Sequence, residues 1–320
     1  DIDRGGVIAA VVGTRTVIDP ADAAMIRGFL INKFRGDPAL FEDGYAQIAA
    51  LSGWRGMGVV PWLDAVARLP SEDAVVLERR TPSVDAPLVI ACPVLPRISN
   101  FDDLDPLKLE PSVELRMIGP GQVIPADAAL VILPGSKATI ADMRAMVAQG
   151  WDIDIRAHHR RGGVVLGICG GYQMLGRTIG DPEGIEGPPE TIAGLGLLEV
   201  DTLMSSGKAL HQVQGHGLEA DFRGYEMHMG ATSGPDCARP FAILDGGRAD
   251  GAISRDGRVL GSYVHGLLAS APLRDALMQR LGGQSAMADY AQTVGDALDE
   301  VAALLEQHAD IDAMVALAMA

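Results

Sequence analysis

The stretch 164–176, VVLGICGGYQMLG, decides the fold. An apolar run ends on Gly167-Ile168, a cysteine follows, and two more glycines lead into residues of helical character. A short apolar run bounded by glycines reads as a fully buried strand, the kind found in parallel sheets. A strand that turns through G-x-C-x-G into a helix is the cysteine form of the nucleophile elbow. Small neighbours spare such a turn from Cβ clashes. The first helical turn aims its free N–H groups and the positive end of its dipole at the sulfur. Cys169 is therefore the candidate nucleophile, and the amide of Gly170 the first donor to an oxyanion. Cys92 and Cys237 lack this framing and read as small buried hydrophobes.

Working outward, strands are expected at 88–96, 112–118, 129–133 and 163–168, with helices at 137–148 and 151–160. Strands alternating with helices imply a parallel α/β sheet. From 194 to 264 short strands closed by glycine-rich turns replace that pattern, which makes a mixed or antiparallel extension. Helices return at 271–281 and 286–308, and 309–320 reads as an apolar helix or a loose end. Before residue 80 the pattern is again α/β: a strand at 28–33, a helix at 38–52 and a strand at 58–61. LERRTPSVDAP (77–87) mixes charge, Pro and Ser without periodicity. These readings divide the chain into a first domain at 1–80, a linker at 81–87, a second domain at 88–285 and a helical tail at 286–320. The chain opens on Asp1-Ile2-Asp3 without a methionine and reads as the end of a strand already under way, so a preceding segment is expected.

A thiol nucleophile needs a base, usually histidine. His158 and His159 lie in HHRR and read as a solvated helix face; His308 sits in the polar tail, and His211 and His216 flank a probable strand. His265 ends the strand-like RVLGSYVHG, so its side chain would emerge at the C-terminal edge of a sheet, where open α/β folds collect their sites. His228, in GYEMHMG, is the second candidate. Gly135, in LPGSK (133–137) after a strand and before a helix, can bring a second N–H to the same oxyanion. No GxxxxGK[ST] phosphate loop occurs in the sequence.

Bulk properties narrow the partners. A net charge of −16 argues against nucleic acid and anionic membrane, though not against a nucleotide or an acidic metabolite. No run of eighteen apolar residues is present, so no membrane span is expected. Three widely spaced cysteines make neither a disulfide framework nor a zinc site, which points to the reducing cytoplasm.

The motifs together resemble a family. PRISNFDDLDPL (96–107), LPGSKATIADM (133–143), GICGGYQMLG (167–176), GIEG (184–187), GLGLL (194–198), YEMHMG (225–230) and SYVHGL (262–267) are similar to class I glutamine amidotransferases. Within them they resemble the cobalamin-biosynthesis branch that amidates cobyric and cobyrinic acids. DIDRGGV (1–7), INKFRGD (31–37) and GVVPWL (58–63) resemble the latter half of that branch's ATP-dependent synthetase domain. They favour the members that form cobyric acid over those that form cobyrinic acid a,c-diamide.

The resemblance implies a partial P-loop-like, dethiobiotin-synthetase-type parallel sheet followed by a flavodoxin-like amidotransferase domain with a mixed-sheet extension. Glutamine would be hydrolysed at a Cys–His site. Ammonia would pass to the synthetase domain, where ATP and Mg²⁺ activate peripheral carboxylates of adenosylcobyrinic acid a,c-diamide. Carried over residue by residue, Cys169 is the nucleophile, His265 the base, and Gly135 and Gly170 the oxyanion hole. Gln173 and Ser136 would contact glutamine, and Asn32, Lys33, Asp1 and Asp3 would border the nucleotide. No resident metal site is implied within this chain, since the phosphate loop and acidic Mg²⁺ ligands of the family precede DIDRGG. The Glu that many class I enzymes carry two residues after the histidine is absent from His265-Gly266-Leu267. Glu226 stands as one candidate to orient the imidazole, with support of the sheet or contact with the synthetase domain as the rival reading. Two other functions share these motifs: a partner-binding scaffold without activity, and a cysteine hydrolase or peptidase built on the same elbow.

Overall fold

The computed structural model describes residues 1–70, 88–207, 209–287 and 289–319, which fall into two compact units. The expected linker at 81–87 lies outside the described residues.

The first unit comprises residues 1–70 and 292–320. Its strands Gly28–Phe34 and Arg55–Pro61 pair in parallel, joined by the helix Glu42–Ser52, as the alternation of patterns implies. Phe29, Ile31, Phe34, Ile48 and Trp54 form its core. Two expectations fail here. Residues Ile2–Arg4 form a 3-10 turn capped by the Asp1 carboxylate, not a strand end, and an unanticipated helix, Val7–Val17, follows. The tail is helical at Tyr290–His308 and Ile311–Ala318, but from Gln292 onward it belongs to the first unit and does not stand apart. Physical ties hold it there: Ala309 bridges to Gly58, the Asp310 amide donates to Met57 O, and Arg55 pairs with Asp310 at 2.6 Å.

The second unit, residues 71–291, is built on a six-stranded sheet. Its order is Ala252–Ile253, Val259–Ser262, Val164–Ile168, Leu130–Leu133, Leu88–Pro93 and Val113–Ile118, with every pair parallel except the first. Val164–Ile168 is buried at all five positions, as its continuous apolar sequence requires. Helices Thr139–Ala148 and Trp151–Arg160 connect Leu130–Leu133 to it. The extension has two parts. One is an antiparallel five-stranded sheet that includes Ala209–Gly217, Ala220–His228 and Val264–His265; the other is a mixed four-stranded sheet around Thr178–Asp181. Among the described residues no helix is long and apolar enough to cross a membrane.

The HHRR run is only partly a solvated face. His158 is buried, its Nε2 lies 2.9 Å from Val164 O, and burial pulls its pKa below the ordinary value. Only His159, paired with Asp256, fits the expectation. Cys92 is buried in its strand, where burial pushes the thiol pKa up. Cys237 is only half-buried, in a 3-10 turn, so it is not the fully buried small hydrophobe expected.

Candidate functional site

Four adjacent parallel strands end on the same edge, and each delivers one part of the site. Val164–Ile168 runs directly into Cys169, whose backbone takes φ 51° and ψ −108° before the helix Gly170–Leu175 begins. A non-glycine residue there is strained, and such strain is held only where the surroundings over-determine it. The surroundings do so by close packing. A Cβ at Gly171 would run into the Leu133 carbonyl oxygen, and one at Gly170 would stand 3.0 Å from the Ser136 amide nitrogen. The glycines of the motif thus let the elbow press against the neighbouring strand. The helix after the elbow is only six residues long, so its first N–H groups matter more than its dipole.

Leu130–Leu133 leads into Gly135–Ser136, a short strand piece that pairs with Ile98–Ser99. A Cβ at Gly135 would stand 3.1 Å from Cε1 of His265. Gly135 and Gly170 therefore flank the place between the thiol and the imidazole.

Val259–Ser262 carries the chain on to Val264–His265, which pairs with Glu226 and Tyr225 of the extension. His265 is fully buried, and the Tyr225 ring stacks on it at 5.3 Å. Its Nδ1–H donates to Asp103 Oδ2 at 2.7 Å, while Asp103 Oδ1 accepts the Gly266 amide at 2.6 Å. One carboxylate thereby fixes both the ring and the backbone beside it. Nδ1 being committed as a donor, Nε2 is the ring atom left for the thiol. Nε2 has no partner of regular hydrogen-bond geometry, yet it lies close enough to Cys169 for the thiol to act on the ring's proton affinity. Burial alone would favour the neutral imidazole. The Asp103 hydrogen bond, the Cys169 contact and the charge of Asp103 outweigh it and lift the pKa to about 10. The Cys169 thiol also donates to Met227 O at 3.5 Å.

Asp103 reaches the site from the fourth strand, Leu88–Pro93. After it the chain bends at Asn100, which adopts the left-handed conformation that Asn tolerates, and enters the 3-10 turn Phe101–Leu104. Asn100 Nδ2 donates to the Tyr225 hydroxyl at 2.8 Å, tying this turn to the stacked ring. Asp103 was missed in the sequence, where it is one of three acids in FDDLD. Glu226, the residue considered for this task, is instead buried and paired through both oxygens with Arg248.

The expected glutamine contacts are differently placed. Gln173 is 2% exposed; its Nε2 donates to Met229 O at 2.9 Å and its Oε1 accepts from Thr139 Oγ1 at 2.9 Å. Ser136 Oγ donates to Asp142 at 2.6 Å and accepts from the Ala138 amide. Both side chains brace the walls of the site in this conformation. His228 stacks on Tyr263 at 3.8 Å, and burial lowers its pKa.

In the first unit, Asn32, Lys33, Asp1 and Asp3 lie together near the end of Gly28–Phe34. Lys33 Nζ pairs with Asp1 at 3.1 Å, Arg35 pairs with Asp3 at 2.9 Å, and Asn32 Oδ1 accepts the Lys33 amide. Position at a strand's C-terminal end fits a nucleotide border. Lys33 and Arg35 are engaged by carboxylates, however, so the cluster does not form a phosphate cradle. Among the described residues no group of three or more His, Cys, Asp or Glu side chains is placed to hold a metal ion.

A buried thiol, an imidazole oriented by a carboxylate, and two closely packed glycines meet at one sheet edge in a Cys–His–Asp arrangement. Residues 89–273 match the family model of the CobB/CobQ-like glutamine amidotransferase domain, and residues 1–76 match that of the CobQ/CobB/MinD/ParA nucleotide binding domain. The chain belongs to the CobB/CobQ-like glutamine amidotransferase family. It is 69% identical over 320 residues to a cobyric acid synthase of Rhizorhabdus wittichii, covering all of this chain and 66% of that protein. To cobyric acid synthases of Novosphingobium aromaticivorans and Methylocella silvestris it is 67% and 55% identical over 320 residues, covering 100% and 99% of this chain and 65% and 67% of those proteins. The chain thus spans just under two thirds of the length of the first two.

Proposed function

We propose that the second unit hydrolyses glutamine and supplies ammonia for amide synthesis by the longer protein to which relatives of this chain correspond. The observation that carries this reading is the buried His265, fixed by Asp103 at Nδ1 and presenting Nε2 toward Cys169.

The chemistry follows from those placements. Cys169 Sγ, its proton already held at Nε2 of the charged His265 ring, attacks the side-chain amide carbon of glutamine. A C–S bond forms, and the carbonyl oxygen becomes an oxyanion received by the amides of Gly170 and Gly135. His265 returns the proton to the amide nitrogen as the C–N bond breaks, and ammonia leaves. Water then adds to the thioester while the neutral His265 ring takes its proton; the C–S bond breaks, glutamate departs, and the sulfur is left beside the protonated ring as at the start. Asp103 holds the ring in the tautomer that both halves need and stabilises its charged form.

For the longer protein, we assign transfer of that ammonia to peripheral carboxylates of adenosylcobyrinic acid a,c-diamide, giving cobyric acid with ATP and Mg²⁺. The names of the 69% and 67% identical relatives support this over the a,c-diamide-forming alternative. Asn32, Lys33, Asp1 and Asp3 would border the nucleotide.

Glutamine incubated with the purified protein should yield glutamate and ammonia in equal amounts, and Cys169→Ala should abolish both. Glutamate formation that survives the substitution would refute the assignment to Cys169, whereas no turnover by the wild type even with the ATP-site partner and corrin present would make the non-catalytic scaffold the better reading.

A further inference from the structure

An ion pair sealed from solvent stands behind the relay, and the mechanism does not use it. Glu110 and Arg274 are both fully buried, and Arg274 Nε donates to Glu110 Oε2 at 3.2 Å. The guanidinium reaches further. Its Nη1 donates to Leu268 O at 2.9 Å and to Ala269 O at 3.4 Å, and its Nη2 to Met287 O. Glu110 in turn accepts the Ser285 hydroxyl at 2.8 Å and the amides of Ala286 and Met287. Stability alone does not account for such a pair. Taking two charges out of water costs about as much as their attraction returns, and apolar side chains of similar volume in their place are often neutral or stabilising.

The place of the pair in the chain supplies a purpose. Its two ends belong to the segments that carry Asp103 and His265. From Asp103 the chain runs through the end of the 3-10 turn Phe101–Leu104 and the helix Asp105–Leu109 directly to Glu110. From His265 it runs through Gly266 and the turn Leu267–Ala269, whose last two carbonyls Arg274 holds, into the helix Ala271–Arg280 that bears Arg274. Both pieces are short and tightly packed: Leu104, Leu107, Leu267, Leu268 and Leu273 lie in one apolar core. They are tied where Asp103 takes His265 Nδ1–H and the Gly266 amide, and tied again where Glu110 meets Arg274. The partners are 162 and 164 residues apart in sequence, so the two segments keep step between the ties. One tie fixes a distance; two fix the angle at which the carboxylate approaches the ring.

We propose that Glu110 and Arg274 are positioning residues for the relay: they hold the Asp103 segment against the His265 turn so that one carboxylate meets both Nδ1 and the Gly266 amide. This deepens, and rests on, the glutaminase reading above. The arginine matters as a fork. Its planar guanidinium engages the carboxylate and the carbonyls beyond it together, which the point charge of a lysine cannot do.

The test removes the pair without leaving a lone buried charge, by Arg274→Met combined with Glu110→Gln, and sets it beside Arg274→Lys in the full chain. Cooperative thermal unfolding reports that each variant has folded; should the double variant not fold, Arg274→Lys decides by the same readouts. The kcat for glutamine hydrolysis should fall by roughly 10–100-fold in the double variant with KM little changed, as expected when reacting groups are displaced by about 1 Å, and by less in Arg274→Lys. The His265 ring proton, followed by NMR and identified by its change in Asp103→Asn, should titrate below the wild-type position of about 10. Placed in Asp103→Asn, the double substitution should lower kcat by less than about threefold, because the contact it positions is already gone. Equal losses with and without Asp103, or an unaltered His265 titration, would make the pair a structural support and overturn the proposal while leaving the glutaminase reading intact. A wild type that turns over no glutamine, with the His265 titration still displaced in the variants, would uphold the hold on the ring and overturn the glutaminase reading instead.

Discussion

The elbow in the second unit and the charged cluster in the first were both readable as motifs, yet they are built in opposite ways. Around Cys169 four parallel strands converge, the imidazole is sealed from solvent, and Asp103 fixes its Nδ1 while Nε2 is left for the thiol. Around Lys33 the charges are exposed and neutralise one another across solvent. In a buried site a single carboxylate changes the charge state of its neighbour; on the surface the same contact is screened and contributes little. The comparison teaches where an acid–base pair can act chemically, and substitutions should show the contrast as a graded series.

The largest effect is expected from Asp103→Asn. Loss of the carboxylate frees the imidazole to take the wrong tautomer, so kcat for glutamine hydrolysis should drop by roughly 10²–10⁴-fold, as expected for disabling a general acid–base. The pH profile supplies an independent reading. His265 titrates at about 10, so the wild-type rate should hold through neutral pH and fall as the ring loses its proton near pH 10; in the variant that alkaline limb should move to lower pH. Stability follows the same proton. The folded ring binds it more tightly than an ordinary histidine at 6.5, so the contribution is complete below about pH 6.5 and is lost as pH rises toward 10. Thermal unfolding of Asp103→Asn should therefore show a weaker loss of stability over that interval than wild type.

An intermediate effect is expected from Glu226→Gln. Breaking its buried pairing with Arg248 should destabilise the second unit by about 1–3 kcal/mol in denaturant unfolding, with kcat changed less than threefold. A hundredfold loss of kcat would return Glu226 to the role considered for it from sequence. The smallest effect belongs to Asp3→Asn, which loses an exposed pair with Arg35 and should leave the thermal midpoint within error at physiological salt.

What the sequence disclosed follows the same division. Cys169 and its glycines are local: one strand, one turn and one helix specify the elbow, so a thirteen-residue stretch revealed it. His265 was legible because it closes an apolar strand at the expected sheet edge. Asp103 was not, since it meets His265 across 162 residues and shares its segment with Asp102 and Asp105. Asp103 and Asp105 are both buried, yet after the left-handed bend at Asn100 it is Asp103 that meets the imidazole while Asp105 pairs with Lys108, and an Asn carries that bend without announcing it. His158 misled for a related reason: charged neighbours suggested a solvated face, whereas its ring seeks the Val164 carbonyl. Gln173 lies one turn past the cysteine, but the groups that occupy its amide, Met229 O and Thr139 Oγ1, come from residues whose proximity no spacing reveals. The fold was largely local information; the relay was not.

Labelling with a glutamine-analogue electrophile, mapped by peptide mass spectrometry, puts the claim of a prepared thiol to the most direct test. The account predicts one adduct per chain, on Cys169, formed well before any on Cys92 or Cys237 and slowed by Asp103→Asn. Equal modification of all three cysteines, or of Cys169 at the same rate with and without Asp103, would contradict it.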